Sequence, residues 1–192
     1  MSKGYIALVI VLIVLFVGLY LYFFPIGGGK LEIPGGEKKI QVFSTAFQDQ
    51  GNIPVIYTKD GKDISPPISW VLPPNIEGVV CYALIMYDPD APNPPFVHWI
   101  LFNIPPDVNY IRENVPKEPK VLGVGLQGKN DYGKIGYGGP HPPKGSTHRY
   151  VFRVYALDSY LTLSAGCSKE EFIKAVKDHI IVYGELIGIY GR

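Results

Sequence analysis

Three apolar runs of strand length, set between proline-rich turns, limit what this chain can fold into more than any other feature. "VVCYALIMYD" (79–88), "FVHWILFNI" (96–104) and "HRYVFRVYAL" (148–157) lie between clusters of Pro, Gly and Asp. Short runs rich in β-branched and aromatic residues, stopped by Gly and Pro, read as strands. The first two are apolar at both alternate positions, which fits strands buried on both faces of a sheet. With 22 Gly, 18 Pro, 14 Tyr and 9 Phe in 192 residues, the composition favours a mostly β domain with long ordered loops.

Weaker signals fill in the remainder. "KIQVFSTAF" (39–47) reads as an opening strand, and Ile68 to Val71 as a short strand inside a Pro-punctuated loop. One helix is expected, with Ser168 as N-cap, Glu171 as its capping-box partner, and Phe172, Ile173, Val176 and Ile180 as one apolar stripe. Cys81 and Cys167 are compatible with two buried thiols or with one bridge, and no essential bridge is expected.

The N-terminus reads differently. Tyr5 to Phe24 is a charge-free apolar run of twenty residues, long enough for a helix to cross a hydrocarbon core of about 30 Å. The expectation is a transmembrane anchor over 1–26, a Gly/Pro/Lys linker over 27–39 and a globular domain over 40–192, held at a membrane by a single pass and facing outside the cytoplasm. A cleaved secretory signal would have a shorter apolar region and a small-residue cleavage site. "SKGYIALVIV" also resembles a prepilin-type signal cut after Lys3-Gly4, which would leave the apolar segment in place.

Charge narrows the function classes. A formal net charge of +1 gives no basic face for nucleic acid. There is no H-E-x-x-H, C-x-x-C or G-x-S-x-G spacing, and "GVGLQGKNDYGK" lacks the G-K-[ST] ending of a P-loop. Neither a metal, a cofactor nor a nucleophile is indicated.

Pleat geometry locates the polar residues that remain. Alternation puts His148, Tyr150, Phe152 and Val154 on one face, and Arg149, Val151, Arg153 and Tyr155 on the other. The same rule groups His98 with Ile100 and Phe102, and Asp88 with Met86 and Leu84. Asp88, His98 and His148 all sit at strand ends beside stiff turns, "DPDAPNPPFVHW" and "GGPHPPKGSTHRY", and their convergence would form a pocket. Each has a plainer reading: Asp90 as a turn residue, His98 as a satisfied core histidine, and Trp99 and Tyr155 as core.

"SPPISW", "YALIMYDPDAP", "VHWILFNIP", "GYGGPHPPKG", "HRYVFRVYALD" and "ELIGIYGR" resemble the phosphatidylethanolamine-binding protein family in its short prokaryotic, Raf kinase inhibitor-like form. The resemblance runs from about Ile40 to Arg192. It implies a β-sandwich-like fold with one or two short helices and a small anion pocket, at Asp88, Asp90, His98, Gly138, Gly139, Pro140, His148 and Tyr150. Many prokaryotic relatives carry cysteine where this chain has Lys59 and His141, and the extra C-terminal helix of eukaryotic members is absent.

The residues suit that ligand class on their own terms. Imidazoles and a tyrosine hydroxyl are donors, and Gly138 and Gly139 would let backbone N–H groups approach an oxyanion. Asp88 would fix a histidine tautomer or accept the ammonium of a zwitterion such as phosphoethanolamine. The expected protein is a non-catalytic binding and regulatory module, with an inhibitory action on kinases or serine proteases implied by the resemblance. The competing class is a hydrolase-type enzyme using the Asp and His cluster on a phosphorylated or ester substrate.

Overall fold

The computed structural model describes residues 31–192, which form one compact unit. In chain order the strands are β1 (Glu37–Lys38), β2 (Gln41–Phe43), β3 (Gly51–Asn52), β4 (Ile68–Val71), β5 (Cys81–Asp88) and β6 (Phe96–Ile104), followed by β7 (Tyr110–Ile111), β8 (Lys120–Val121), β9 (Gly125–Gln127), β10 (Thr147–Leu157) and β11 (Ile180–Gly191), with helix α1 (Lys169–Val176) between the last two. The large sheet runs β1-β11-β10-β5-β6-β9-β8, with β3 also paired to β11. A second sheet, β2-β4-β7, is separate. The long runs therefore became β5, β6 and β10 at the centre of the large sheet. All eight residues of β5 are buried, as expected for a strand covered on both faces.

Alternation sorts the core into two layers. On one face Leu84, Met86, Phe152 and Val154 pack with Ile68, Trp70 and Ile111 of the small sheet. On the other, Ala83, Ile85, Val151 and Tyr155 pack with Phe172, Ile173 and Val176 of α1. At about 25 cal/mol per Å² of apolar surface removed from water, these two layers are the main favourable term in folding.

Helix α1 has the expected start: Ser168 accepts from the Glu171 N–H, and the Glu171 side chain reaches back to the Ser168 N–H. Its end falls short of the expected stripe. The helix stops at Val176, a 3-10 turn covers Lys177–His179, and Ile180 opens β11. Ile180, Ile181 and Val182 lose χ1 freedom in a helix and fit a pleated surface better.

Strand β6 departs from simple alternation. Met86 pairs with Trp99 and Tyr87 with Val97, so His98 is an extra residue with no partner on β5. Val97, Ile100 and Phe102 pack on the α1 side, while Trp99 and Leu101 pack on the small-sheet side. His98 is thus not on the face of Ile100 and Phe102. The bulge turns it instead toward Tyr150, whose ring centroid is 5.2 Å from its own.

The expected fold class also placed a transmembrane helix ahead of the β-domain, and that part is corrected. Among the described residues no helix is long and apolar enough to cross a membrane. Helix α1, of 8 residues, reaches about 12 Å at 1.5 Å per residue. The Tyr5–Phe24 segment lies outside the described residues. Residues just ahead of Ile40 are part of the fold: Glu37 and Lys38 pair in parallel with Val182 and Tyr183, and Leu31 and Ile33 pack on the α1-side core. Cys81 and Cys167 are free and buried, and burial pushes both thiols up to about 11.

Candidate functional site

A cavity of about 200 Å³ opens where β5 ends and where β6 and β10 begin. Asp88, His98, His148 and Tyr150 supply its polar wall, and Pro92, Phe96, Tyr132, Pro142 and Pro143 much of the remainder. Asp88, His98 and His148 are 4%, 2% and 8% exposed, so each must find hydrogen-bond partners inside the protein or in a ligand.

The turn after β5 holds Asp88 in place. Its Oδ1 accepts the Asp90 N–H at 2.8 Å, an Asx turn of the kind that a "DPD" sequence favours. Its Oδ2 accepts His148 Nδ1–H at 2.7 Å. A carboxylate only accepts, so the proton is on His148 Nδ1, and Nε2 is left facing Ser146 Oγ at a long 3.4 Å. Asp90 itself points elsewhere. It accepts Arg149 Nε at 2.9 Å and Nη2 at 2.6 Å, and the Arg149 hydrogen bond holds its carboxyl at about 2. Asp90 fastens the turn to the start of β10 and is not part of the cavity wall.

His98 is fixed from both sides. Its Nδ1 donates to the Gly138 carbonyl at 2.7 Å, and the Gly138 N–H donates to the His98 carbonyl at 2.8 Å. Burial pulls its pKa down to about 4, against the opposing pull of Gly138 and Asp88. At neutral pH the ring is therefore uncharged, protonated on Nδ1, with a bare lone pair on Nε2.

This arrangement changes the role expected of the glycines. Gly138 spends its N–H on His98, and the Gly139 N–H donates to Asp63 Oδ1 at 2.6 Å, so neither is free for an oxyanion. They are needed for closeness: a Cβ on Gly139 would stand 2.5 Å from the Tyr57 carbonyl, and one on Gly138 would stand 2.7 Å from the Tyr132 ring. Pro140 is buried, and its carbonyl accepts the Lys59 N–H at 3.0 Å. Lys59 Nζ lies 4.2 Å from the Tyr132 ring centroid and 3.3 Å from Asp63 Oδ2, outside the cavity wall. His141 is on the rim, where its Nε2 accepts from the Arg192 guanidinium at 3.1 Å.

Tyr150 is the unfinished member of the set. Tyr150 lines the cavity with its ring fully buried, and its hydroxyl, which faces the His141 N–H, has no acceptor among the described residues. Leaving such a hydroxyl unpaired costs about 1–3 kcal/mol. Sequence reasoning missed the cavity's aromatic wall, Phe96 and Tyr132, whose rings meet edge-on at 4.9 Å. The signal for Tyr132 was the "GKND" turn. Asn130 Oδ1 accepts the N–H groups of Tyr132 and Lys134, and Asn130 Nδ2 donates to the Gly136 carbonyl. Among the described residues no group of three His, Cys, Asp or Glu side chains is placed to hold a metal.

The described residues thus form a two-sheet β-domain with a small Asp, His and Tyr pocket at its strand ends. Residues 43–191 match the phosphatidylethanolamine-binding protein family, and the chain belongs to that family. It is 48% identical to a UPF0098 protein of Methanothermobacter thermautotrophicus over 147 residues, 77% of this chain and 95% of that one. It is 46% identical to a UPF0098 protein of Pyrococcus horikoshii over 166 residues, 83% of this chain and 81% of that one. Among solved structures, a phosphatidylethanolamine-binding protein homologue from Chlamydia trachomatis aligns with a TM-score of 0.71 at 35% identity, covering 81% of this chain and 99% of that one. E. coli YbcL, described as a new member of the mammalian PEBP family, aligns at 0.74 and 29% identity, covering 80% and 99%.

Proposed function

We propose that the cavity binds a small oxyanion, either phosphate or a phosphoethanolamine-type headgroup, and that the protein is a non-catalytic binding and regulatory module. The observation that carries this is the buried, unpartnered Tyr150 hydroxyl at a cavity of about 200 Å³, a donor with nothing to donate to until a ligand oxygen arrives. The walls of proline and aromatic rings lower the local dielectric and so strengthen each polar contact. An action on a kinase or serine protease belongs to this reading through the family likeness alone. Nucleic acid is not among the proposed partners, given the net charge of +1.

The test follows the histidine ring resonances while phosphate or O-phosphoethanolamine is added to millimolar concentration. His98 and His148 should shift, and His179, which is paired with Asp158 at 2.8 Å outside the cavity, should not. No response from either cavity histidine would overturn the proposal.

One observation favours the competing hydrolase. Ser146 Oγ, His148 Nε2 and Asp88 Oδ2 stand in series, with contacts of 3.4 and 2.7 Å, in the order of a nucleophile, base and orienting acid. Against it, the Ser146 hydroxyl donates to the Pro143 carbonyl at 2.7 Å, and Ser146 is not in the cavity wall. Turnover of ester or phosphoester substrates that disappears in an Asp88→Ala, His148→Ala double variant would establish the enzyme reading instead.

A further inference from the structure

The polar atoms of the cavity are of opposite sense, and this bears on the form of oxyanion that fits. The Tyr150 hydroxyl is a donor without an acceptor. His98 is the reverse: with Nδ1 committed to the Gly138 carbonyl, its Nε2 has only a lone pair to offer and no partner among the described residues. Asp88 adds a carboxylate, while no Lys or Arg lines the cavity. The nearby ammonium of Lys59 is held by Asp63 and the Tyr132 ring.

An oxyanion without a proton presents acceptors only. One of its oxygens set against Nε2 would meet lone pair with lone pair, next to the Asp88 charge. Protonating His98 would relieve the clash, but burial pulls its pKa down to about 4 before any ligand binds, so charging the ring would work against binding at neutral pH. An oxyanion that keeps one proton satisfies both groups, since P–OH donates to His98 Nε2 while a second oxygen accepts from Tyr150. We infer that the cavity selects a phosphomonoester in its singly protonated, monoanionic form over sulfate esters, which have no such proton to give; this rests on the oxyanion reading above.

The test compares O-phosphoethanolamine with 2-aminoethyl sulfate on the full-length protein at pH 6. The two share a carbon skeleton and an ammonium group, and near this pH about half of a phosphomonoester retains its second proton. Dissociation constants come from the His98 and His148 resonances, and the 15N shift of His98 Nε2 reports whether that nitrogen accepts a hydrogen bond. Expected are an affinity at least about tenfold higher for the phosphate ester, the size of one hydrogen bond to a charged group, and a His98 Nε2 shift from a bare toward a hydrogen-bonded nitrogen on binding. Equal affinities, or preference for the sulfate, would overturn the inference and leave the oxyanion pocket standing. Binding of neither compound would remove both. Phosphate-ester preference with an unmoved Nε2 shift would also overturn the inference, because the selectivity would then arise elsewhere.

Discussion

His148 and Arg153 leave the same strand on opposite faces, and each anchors a buried polar cluster. On the α1 face the cluster is complete. Arg153 donates to Glu185 at 2.6 and 2.8 Å, to the Tyr87 hydroxyl at 3.1 Å and to the carbonyls of Ile33 and Pro34 at 3.2 and 2.6 Å. Tyr155 donates to the same Pro34 carbonyl at 2.7 Å. On the other face, among the described residues, the Tyr150 hydroxyl has no acceptor and one nitrogen of His98 has no donor. A polar cluster closed by its own chain is structural, whereas one left open beside a cavity is where the proposed oxyanion would find its partners.

The largest effect expected from breaking this contrast is on the closed side. Arg153→Met removes several charge-assisted hydrogen bonds at once and leaves the partly buried Glu185 carboxylate with Lys38 as its ion-pair partner, and the loss should be about 3–5 kcal/mol in denaturant unfolding, with the ligand response of His98 and His148 unchanged in the folded fraction. A smaller loss would mean that water reaches Glu185 and that the cluster is less closed than its distances suggest.

Next comes acid. His98 titrates near 6.5 when unfolded but only near 4 in the fold, because burial disfavours its charge. Between those values the unfolded chain binds more protons, so stability falls as pH drops through that window, by about 3 kcal/mol in total. The Glu185 step lies lower. Burial raises its pKa, but the bonds to Arg153 and Lys38 outweigh that and hold it below the ordinary value, so its contribution is present above that value and is lost as pH falls through the folded one. Ring-proton titration of His98 with a midpoint above about 5.5 would remove the neutral-histidine argument.

Tyr150→Phe should separate stability from binding. Removing an unpartnered hydroxyl leaves stability unchanged or raises it by about 1 kcal/mol, while affinity for O-phosphoethanolamine falls about tenfold. Clear destabilisation would show that the hydroxyl already has a partner. The smallest effect concerns the thiols: with Cys81 and Cys167 free, the thermal midpoint should be the same with and without reductant, where a lost bridge would cost about 2–5 kcal/mol.

Much of this was legible in the sequence. The apolar runs and their turn residues marked β5, β6 and β10, and the capping residues marked where α1 starts. Alternation correctly grouped His148 with Tyr150 and Asp88 with Met86. It failed for His98, because a bulge arises from pairing with a neighbouring strand and leaves no periodic trace in its own. It also could not show that the N–H groups of Gly138 and Gly139 were taken, since the acceptors, the His98 carbonyl and Asp63 Oδ1, are distant in sequence. The end of α1 was misplaced because Ile180 suits a helical stripe and a strand equally well, and only the pairing of β11 decides between them.

Strand β11 has a consequence for how the chain is made. Gly51 and Glu37 wait for Gly188 and Val182 as their partners, and one whole edge of β10 waits for the same strand. On a ribosome adding about 5–20 residues per second, that wait is on the order of ten seconds. Strand β10, whose partners follow it by 23 to 44 residues, presents its unpaired, largely apolar edge for about the last few seconds of that wait, so nascent chains should depend on holding chaperones more than the finished sheet's burial suggests.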